Sequence, residues 1–298
     1  MSGGSFETYL KERAQDVDQA LDRLLPPETR APETIHKAMR YSVFAGGKRL
    51  RPVLVIAGAE AVGGRMHDVM PTACALELIH TYSLIHDDLP AMDNDDFRRG
   101  RPTSHKVFGE AMAILAGDGL LTLAFRLIAD NWRPGMDPGV LRDVLVDVAD
   151  AAGTDGMVGG QVADLEAEGR RIGADMLDYI HLHKTAALIR TSIRVGARLA
   201  GARAAQIEAL SVAGGDLGLA FQIVDDILDV TGTTEQLGKT AGKDQAQQKA
   251  TYPSIHGIEA SQAQAGRLVG EALQALAPLG PPAEPLRALA RFIVERKA

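Results

Sequence analysis

The chain has 298 residues, 46% hydrophobic and 4% aromatic, with a formal net charge of −7 at pH 7. That is enough apolar material for one large core or two smaller ones, and the acidic balance argues against nucleic acid, which binds surplus Lys and Arg. The single cysteine, Cys74, excludes an internal disulfide framework, fits a reducing, cytoplasmic compartment and reads as a small buried hydrophobe.

In chain order, the pattern predicts helices joined by short Gly/Pro loops. Residues 5–25 carry Phe6, Leu10, Val17, Leu21 and Leu24 at mostly helical spacing, and Pro26-Pro27 closes the segment. No basic segment followed by an apolar run opens residues 1–9, so no secretory signal is expected. A second helix is predicted from Pro32 to Ala45, stopped by Gly46-Gly47, and a third over 52–62, ended by Gly63-Gly64. The fourth begins near Pro71 and carries Leu76, Ile79, His80 and Ser83 into an acidic stretch. Further helices are predicted over 104–131, 138–152, 155–168, 173–200, 205–231, 259–276 and 283–296. The most apolar stretches, 111–125 and 204–224, are interrupted by Asp118 and by Glu208 and Asp216, so no membrane span is expected. No run of period-2 alternation is long enough for a strand, no repeat of 20–50 residues stands out, and no flexible linker divides the chain. The expectation is one all-α bundle spanning residues 1–298, with sites built from facing helices around a central cavity.

Two acidic stretches organise this bundle. In Asp87-Asp88-Leu89-Pro90-Ala91-Met92-Asp93, a continuous helix would turn about 600° between Asp87 and Asp93, at about 100° per residue, and set them on nearly opposite faces. Pro90 instead ends the helix near Leu89, and a short turn can return Asp93 to Asp87. Alone, this stretch would read as a solvated acidic loop. Its partner, Asp225-Asp226-Ile227-Leu228-Asp229, puts Asp225 and Asp229 on one helical face, where like charges repel unless a cation sits between them.

Cations accompany both stretches. Gly46-Gly47-Lys48-Arg49-Leu50-Arg51 puts three after two glycines, a composition suited to holding an anion by charge and exposed N–H groups. Arg98-Arg99 follow the first acidic stretch, and His80 lies two helical turns before Asp87 on the same face. Gln161 and Asp164 share a face after Gly159-Gly160, His183-Lys184-Thr185 lie on another helix, and Gln222 sits one turn before Asp225. Lys239, Lys243 and Lys249 form a basic loop after the second stretch. Two clusters of hard carboxylate oxygens match Mg²⁺, which prefers octahedral oxygen ligands shared with substrate phosphates, and the Cys/His ligands favoured by zinc are missing. With apolar walls around them, such groups suit the departure of a diphosphate from carbon.

These motifs, in this order, resemble the trans-prenyltransferase family of the isoprenoid synthase fold. The resemblance runs from about Tyr9 to Arg296 through GGKRLRP (46–52), LELIHTYSLIHDDLPAMDNDDFRRGRPTSH (76–105), GGQ with Asp164, HKT (183–185), FQIVDDILDVTG (221–232) and LGK (237–239). It implies a homodimer with a deep cavity in each subunit, chain elongation of allylic diphosphates by isopentenyl diphosphate, and about three Mg²⁺ ions, with Mn²⁺ a possible substitute. Asp87, Asp88, Asp93, Asp225, Asp226 and Asp229 match the metal-binding positions. Arg98, Lys184, Lys239 and Lys249 match contacts to the allylic diphosphate, and Lys48, Arg51, His80 and Arg99 match those to isopentenyl diphosphate. Thr185 and Gln222 match residues facing the allylic cation, so Lys184, Thr185, Gln222 and Lys239 form the expected catalytic set. The basic tail, Arg296-Lys297, loosely matches a segment that closes over the site.

Product length is expected to depend on Tyr82, five residues before Asp87 and so about 7.5 Å down the helix. In similar enzymes that position floors the growing chain, and a tyrosine followed by the small Ser83 resembles the C15-forming pattern. A C20-forming synthase would share every catalytic motif. A terpene cyclase is disfavoured because its second metal motif is usually of Asn/Asp, Ser/Thr, Glu type, and a non-catalytic scaffold because no carboxylate is missing. Gly119, where a larger residue is expected, and Ala186 after Lys184-Thr185 are the departures from the family pattern.

Overall fold

A computed structural model describes residues 3–231 and 250–295. Fourteen α-helices are described: α1 (Gly3–Leu24), α2 (Glu33–Val43), α3 (Leu50–Glu60), α4 (Met70–Asp87), α5 (Ser104–Phe108), α6 (Glu110–Ala129), α7 (Pro138–Ala152), α8 (Met157–Ala167), α9 (Ala174–Ile180), α10 (Ala187–Leu199), α11 (Ala204–Thr231), α12 (Tyr252–His256), α13 (Ile258–Leu276) and α14 (Glu284–Glu295). A π-helical turn, His181–Ala186, joins α9 to α10.

The helix starts follow local chemistry. Pro71 enters the first turn of α4, where its missing N–H costs nothing. Asp137 caps α7 by accepting from the Gly139 N–H at 2.9 Å, ahead of Pro138. Thr251 and Ser254 close a reciprocal capping box on α12.

Three differences from the sequence expectation have identifiable causes. The helix predicted over 104–131 is two, α5 and α6, because Gly109 takes φ 84° between them. The helix predicted over 173–200 contains the π turn, which leaves no mark in hydrophobic spacing. A small antiparallel hairpin, β1 (Phe97–Arg98) and β2 (Arg101–Pro102), was not anticipated. Its two connecting residues, Arg99 and Gly100, both have positive φ, 54° and 73°, as a type I′ turn requires. Strands of two residues are too short to show alternation.

Two apolar clusters fill the interior. One packs α2, α4, α6 and α7 through residues such as Met39, Leu76, Ile79, Leu120 and Val148. The other packs α11, α13 and α14 through Leu217, Ile223, Leu268 and Leu289. Helices α3 and α10 supply both: Ile56 and Leu188 face the first cluster, Leu54 and Ile193 the second. Their crossing is close enough that a Cβ on Gly58 would overlap the Ile193 carbonyl and one on Gly196 the Val55 carbonyl. Two helices, α6 and α11, are long and apolar enough to cross a bilayer. Their apolar residues are used within the bundle, Leu120 and Ile128 of α6 in the first cluster and Leu217 and Ile223 of α11 in the second. Gly119 sits on α6 where a Cβ would lie 3.3 Å from Met39 Sδ on α2, a tight approach to a flexible side chain.

Candidate active site

Helix α4 ends at Asp87, and the following turn does what the spacing required. The Asp93 N–H donates to the Asp87 carbonyl at 2.8 Å, and the Asn94 N–H donates to the Leu89 carbonyl at 3.1 Å. The chain thus folds back on the helix end, with Asn94 at φ 51° making the reversal. Asp88 is buried, and Arg98 from the hairpin grips its carboxylate: Nε donates to Oδ1 at 2.8 Å and Oδ2 at 3.0 Å, and Nη2 lies 2.6 Å from Oδ1. Such a forked ion pair fixes both direction and distance. Burial raises the carboxyl pKa of Asp87, with Lys184 opposing and Asp93 adding to it, and burial likewise raises Asp88 against the pull of Arg98. Negative charge crowded at the C-terminal end of a helix is unfavourable and calls for cations.

The second motif lies on the last described turns of α11. Asp226 and Asp229 are buried, and Asp225 is half-buried. The three residues diverge in their partners. Asp226 Oδ2 accepts from His181 Nε2 and from the Tyr252 N–H, each at 2.9 Å, and its Oδ1 accepts from Gln222 Nε2 at 3.1 Å. Asp229 Oδ1 is buried and has no hydrogen-bond partner among the described residues, an arrangement a bound cation would satisfy.

Lys184 and Thr185 sit in the π turn. Lys184 Nζ donates to Asp164 Oδ2 on α8 at 2.6 Å, which gives Asp164 a direct place in the site. The turn is pressed between glycines: a Cβ on Gly160 of α8 would overlap the Lys184 nitrogen, and one on Gly218 of α11 would come within 2.7 Å of Ala186 Cα. Ala186 is buried against α11 at this close approach. Lys239, Lys249, Arg296 and Lys297 lie outside the described residues.

Two cavities meet at these groups. An apolar one of ≈ 440 Å³ runs from Asp87 and Lys184 past Ser83 and Tyr82, walled by Met92, Met157 and Leu165. Tyr82 is buried with its ring edge-on to His86, at 5.6 Å between centroids, and burial raises its pKa. His86 Nε2 lies 3.1 Å from the Ile114 carbonyl of α6 and fits because Gly117 has no Cβ to meet it. A basic cavity of ≈ 720 Å³ is lined by Lys48, Arg51, His80 and Arg99, with Phe221, Phe292 and Leu289. Arg51, His80 and Thr185 border both cavities.

The loop from Gly46 to Arg51 corrects one expectation. Of its three cations, Arg49 does not serve as an anion ligand: it is buried at φ 52°, donating to Glu77 Oε1, Asp18 Oδ1 and the Val43 carbonyl, each at 2.8 Å. It anchors the loop so that Lys48 and Arg51 flank the cavity. Glu77, one turn before His80 within the mostly apolar run from Ala73 to Ile79, was the available signal for this partner. Burial pushes Arg51 down to about 10, and its Nε has no partner among the described residues. Burial, then Arg51, Arg99, Arg98 and Arg49, hold His80 well below its ordinary value, so it is neutral at pH 7.

Lys184 and Thr185 of the π turn border the apolar cavity with Asp87 of the first motif and a second pocket with Gln222 and Asp226 of the second, while Thr185 also borders the guanidinium-lined cavity. The polyprenyl synthetase family model matches residues 32–275. The chain belongs to that family. Farnesyl diphosphate synthase of Geobacillus stearothermophilus is 51% identical over 251 residues, covering 84% of this chain and 84% of that protein. The chloroplastic geranylgeranyl pyrophosphate synthase of Capsicum annuum is 48% identical over 294 residues, covering 98% and 79%. The crystal structure of an FPP/GFPP synthase from Zymomonas mobilis matches with a TM-score of 0.86 at 37% identity over 98% and 99% of the two chains. This polyprenyl synthetase is a prenyltransferase of the isoprenoid synthase fold that elongates prenyl chains. Its relatives include both farnesyl and geranylgeranyl synthases, so kinship leaves product length open.

Proposed function

We propose that this polyprenyl synthetase is a farnesyl diphosphate synthase, condensing isopentenyl diphosphate with dimethylallyl and then geranyl diphosphate to (2E,6E)-farnesyl diphosphate. The observation that carries the reading is the buried Tyr82 in the wall of the apolar cavity below Asp87. A prenyl chain whose diphosphate sits at the aspartates would grow down this cavity and meet the ring. Lys48, Arg51 and Arg99 would hold the isopentenyl diphosphate, with neutral His80 donating a hydrogen bond without adding charge.

The aspartates fit Mg²⁺. Asp229 Oδ1 is a buried carboxylate oxygen with no partner among the described residues, and Mg²⁺ is commonly held by one or two carboxylates while substrate phosphates and water complete its shell. Asp87, Asp93, Asp225 and Asp229 supply such oxygens. When bound, Mg²⁺ would neutralise the negative charge developing on the departing diphosphate.

The protein's own groups then act in order. Lys184 and Arg98 orient the allylic diphosphate and stabilise its growing charge as the C1–O bond breaks and the electron pair leaves with oxygen. Thr185 and Gln222 present weak dipoles to the allylic cation, and the walls exclude water that would capture it. The isopentenyl double bond supplies two electrons to form the new C1′–C4 bond. A C2 proton then leaves to a diphosphate oxygen, so no side chain is required as base.

A homodimer belongs to the same proposal, supported by the exposed Ile114 and Leu115 on α6, and sedimentation of the purified protein at micromolar concentration tests it. The deciding experiment for product length supplies Mg²⁺, isopentenyl diphosphate and each of dimethylallyl, geranyl and farnesyl diphosphates, and resolves the chains after dephosphorylation. A dominant C15 product from the first two, with farnesyl diphosphate left largely unextended, is expected. Abundant C20 keeps the chemistry and overturns the product; no condensation overturns both.

A further inference from the structure

His181 lies outside every motif that carries the expected chemistry, yet it is 7% exposed and sits at the first position of the π turn. Its ring stacks on Tyr252 with 5.6 Å between centroids and 23° between planes, while its Nε2 meets Asp226 Oδ2 at 2.9 Å. The same Oδ2 takes the Tyr252 backbone N–H, and the Tyr252 hydroxyl donates to Asp178, three residues before His181. These contacts close a ring through α9, the π turn, α11 and the start of α12. Elsewhere the turn is tied to α8 through the flexible Lys184 side chain, whose Nζ donates to Asp164 Oδ2 at 2.6 Å, and meets its neighbours where Gly160 and Gly218 bring backbone against backbone. Glycine contacts set how close the turn lies but give little directional hold. A hydrogen bond to a buried carboxyl group gives direction as well as strength.

We propose that His181 is a positioning residue for chain elongation: donating to Asp226, it fixes the phase of the π turn and so the aim of Lys184 and Thr185. Asp226 then serves as the anchor of this clasp, its oxygens turned to three protein donors, while Asp225 and Asp229 supply the metal-facing oxygens. A π turn wound one residue differently would swing Lys184 away from Asp164 and the Asp87 end of the site. The inference rests on the reading that Lys184 and Thr185 face the allylic substrate.

The test uses the full-length protein and the variants His181→Phe, His181→Gln, Lys184→Ala and the double variant His181→Phe/Lys184→Ala. Phenylalanine keeps a ring against Tyr252 but cannot donate; glutamine keeps a donor. Turnover with geranyl and isopentenyl diphosphates is measured beside Mg²⁺-diphosphate binding by calorimetry, with circular dichroism to confirm folding. His181→Phe is expected to lower kcat roughly 30- to 100-fold, the scale of a displacement of about 1 Å, with KM for isopentenyl diphosphate within about twofold. His181→Gln should recover to within about fivefold of wild type. On the Lys184→Ala background the Phe substitution should cost under about threefold, since the two act in series.

A His181→Phe enzyme within threefold of wild type, equal losses in Phe and Gln, or fully multiplicative losses in the double variant would each overturn the inference. If Lys184→Ala changes neither turnover nor Mg²⁺-diphosphate binding, the reading of the site itself fails, a result distinct from failure at His181. If His181→Phe does not fold, Tyr252→Phe, which removes only the hydroxyl bonded to Asp178, decides: a kcat lowered about three- to tenfold at unchanged KM for isopentenyl diphosphate supports the clasp, and wild-type kcat overturns it.

Discussion

The two aspartate motifs reach the same chemistry by different folding routes. The first depends on a chain reversal: α4 stops at Asp87, the backbone turns, and the Asp93 N–H ties back to the Asp87 carbonyl. The second needs no reversal, because Asp225 and Asp229 already share a face of α11. Yet each motif gives its second aspartate to protein donors, Asp88 to Arg98 and Asp226 to His181, Tyr252 and Gln222. On the proposed function, a carboxylate cluster that shares its metal with substrate phosphates needs an anchor that stays in place when both leave. An ion pair supplies it on the loop, and a hydrogen-bond clasp supplies it on the helix.

The strongest way to break this comparison is to remove the outer carboxylates. Asp87→Asn and Asp225→Asn are each expected to lower kcat about 10³-fold and to raise the Mg²⁺ concentration for half-maximal rate. Asp226→Asn should leave that concentration within about twofold of wild type. Equal shifts in Mg²⁺ dependence for Asp225→Asn and Asp226→Asn would show that the second motif has no division of labour.

Gly160→Ala presses a methyl group into the Lys184 backbone without touching either motif. It is expected to cut kcat about 10²-fold with the helical content unchanged by circular dichroism. A normal rate would mean that the π turn tolerates displacement. On the stability side, Arg98→Leu leaves the buried Asp88 carboxylate uncompensated and should cost about 3 kcal/mol, a drop of several degrees in thermal midpoint. The double variant Asp88→Leu/Arg98→Leu should regain much of that midpoint if the pair is an anchor rather than a source of stability.

The cavity below the first motif has its own test. Tyr82→Ala should extend products beyond C15 with kcat within about threefold, and unchanged C15 output would remove Tyr82 as the floor. The smallest effect belongs to Asp216, earlier on α11, which burial and the nearby Glu271 push up to about 6 from 3.8. Because its folded pKa lies above the unfolded one, its stability contribution is present below the unfolded value and is lost as pH rises through 6. Asp216→Asn should therefore raise the thermal midpoint by about 2–4 °C at pH 7.5, on the order of 1 kcal/mol after allowing for solvent, and leave it unchanged at about pH 3, below the unfolded value. An equal gain at both pH values would assign the effect to something other than its charge.

The sequence by itself determined the helical class, the order of most helices, and the identity of both acidic motifs, because hydrophobic period and Gly/Pro punctuation are local properties of the chain. The rotation argument across Asp87 to Asp93 required a turn, and the turn is there. The family followed from motif order, and the matches to known synthases agree. Local pattern could not tell which cations face the site. Lys48, Arg49 and Arg51 look alike in sequence, and only the buried Glu77 and Asp18 across the fold assign Arg49 to structure. The same limit hid His181, whose partner Asp226 lies 45 residues away. Tertiary structure decided the π turn pressed between Gly160 and Gly218 and the seat of His86 against the Ile114 carbonyl of α6, because each depends on how closely two distant segments approach rather than on the period of either one.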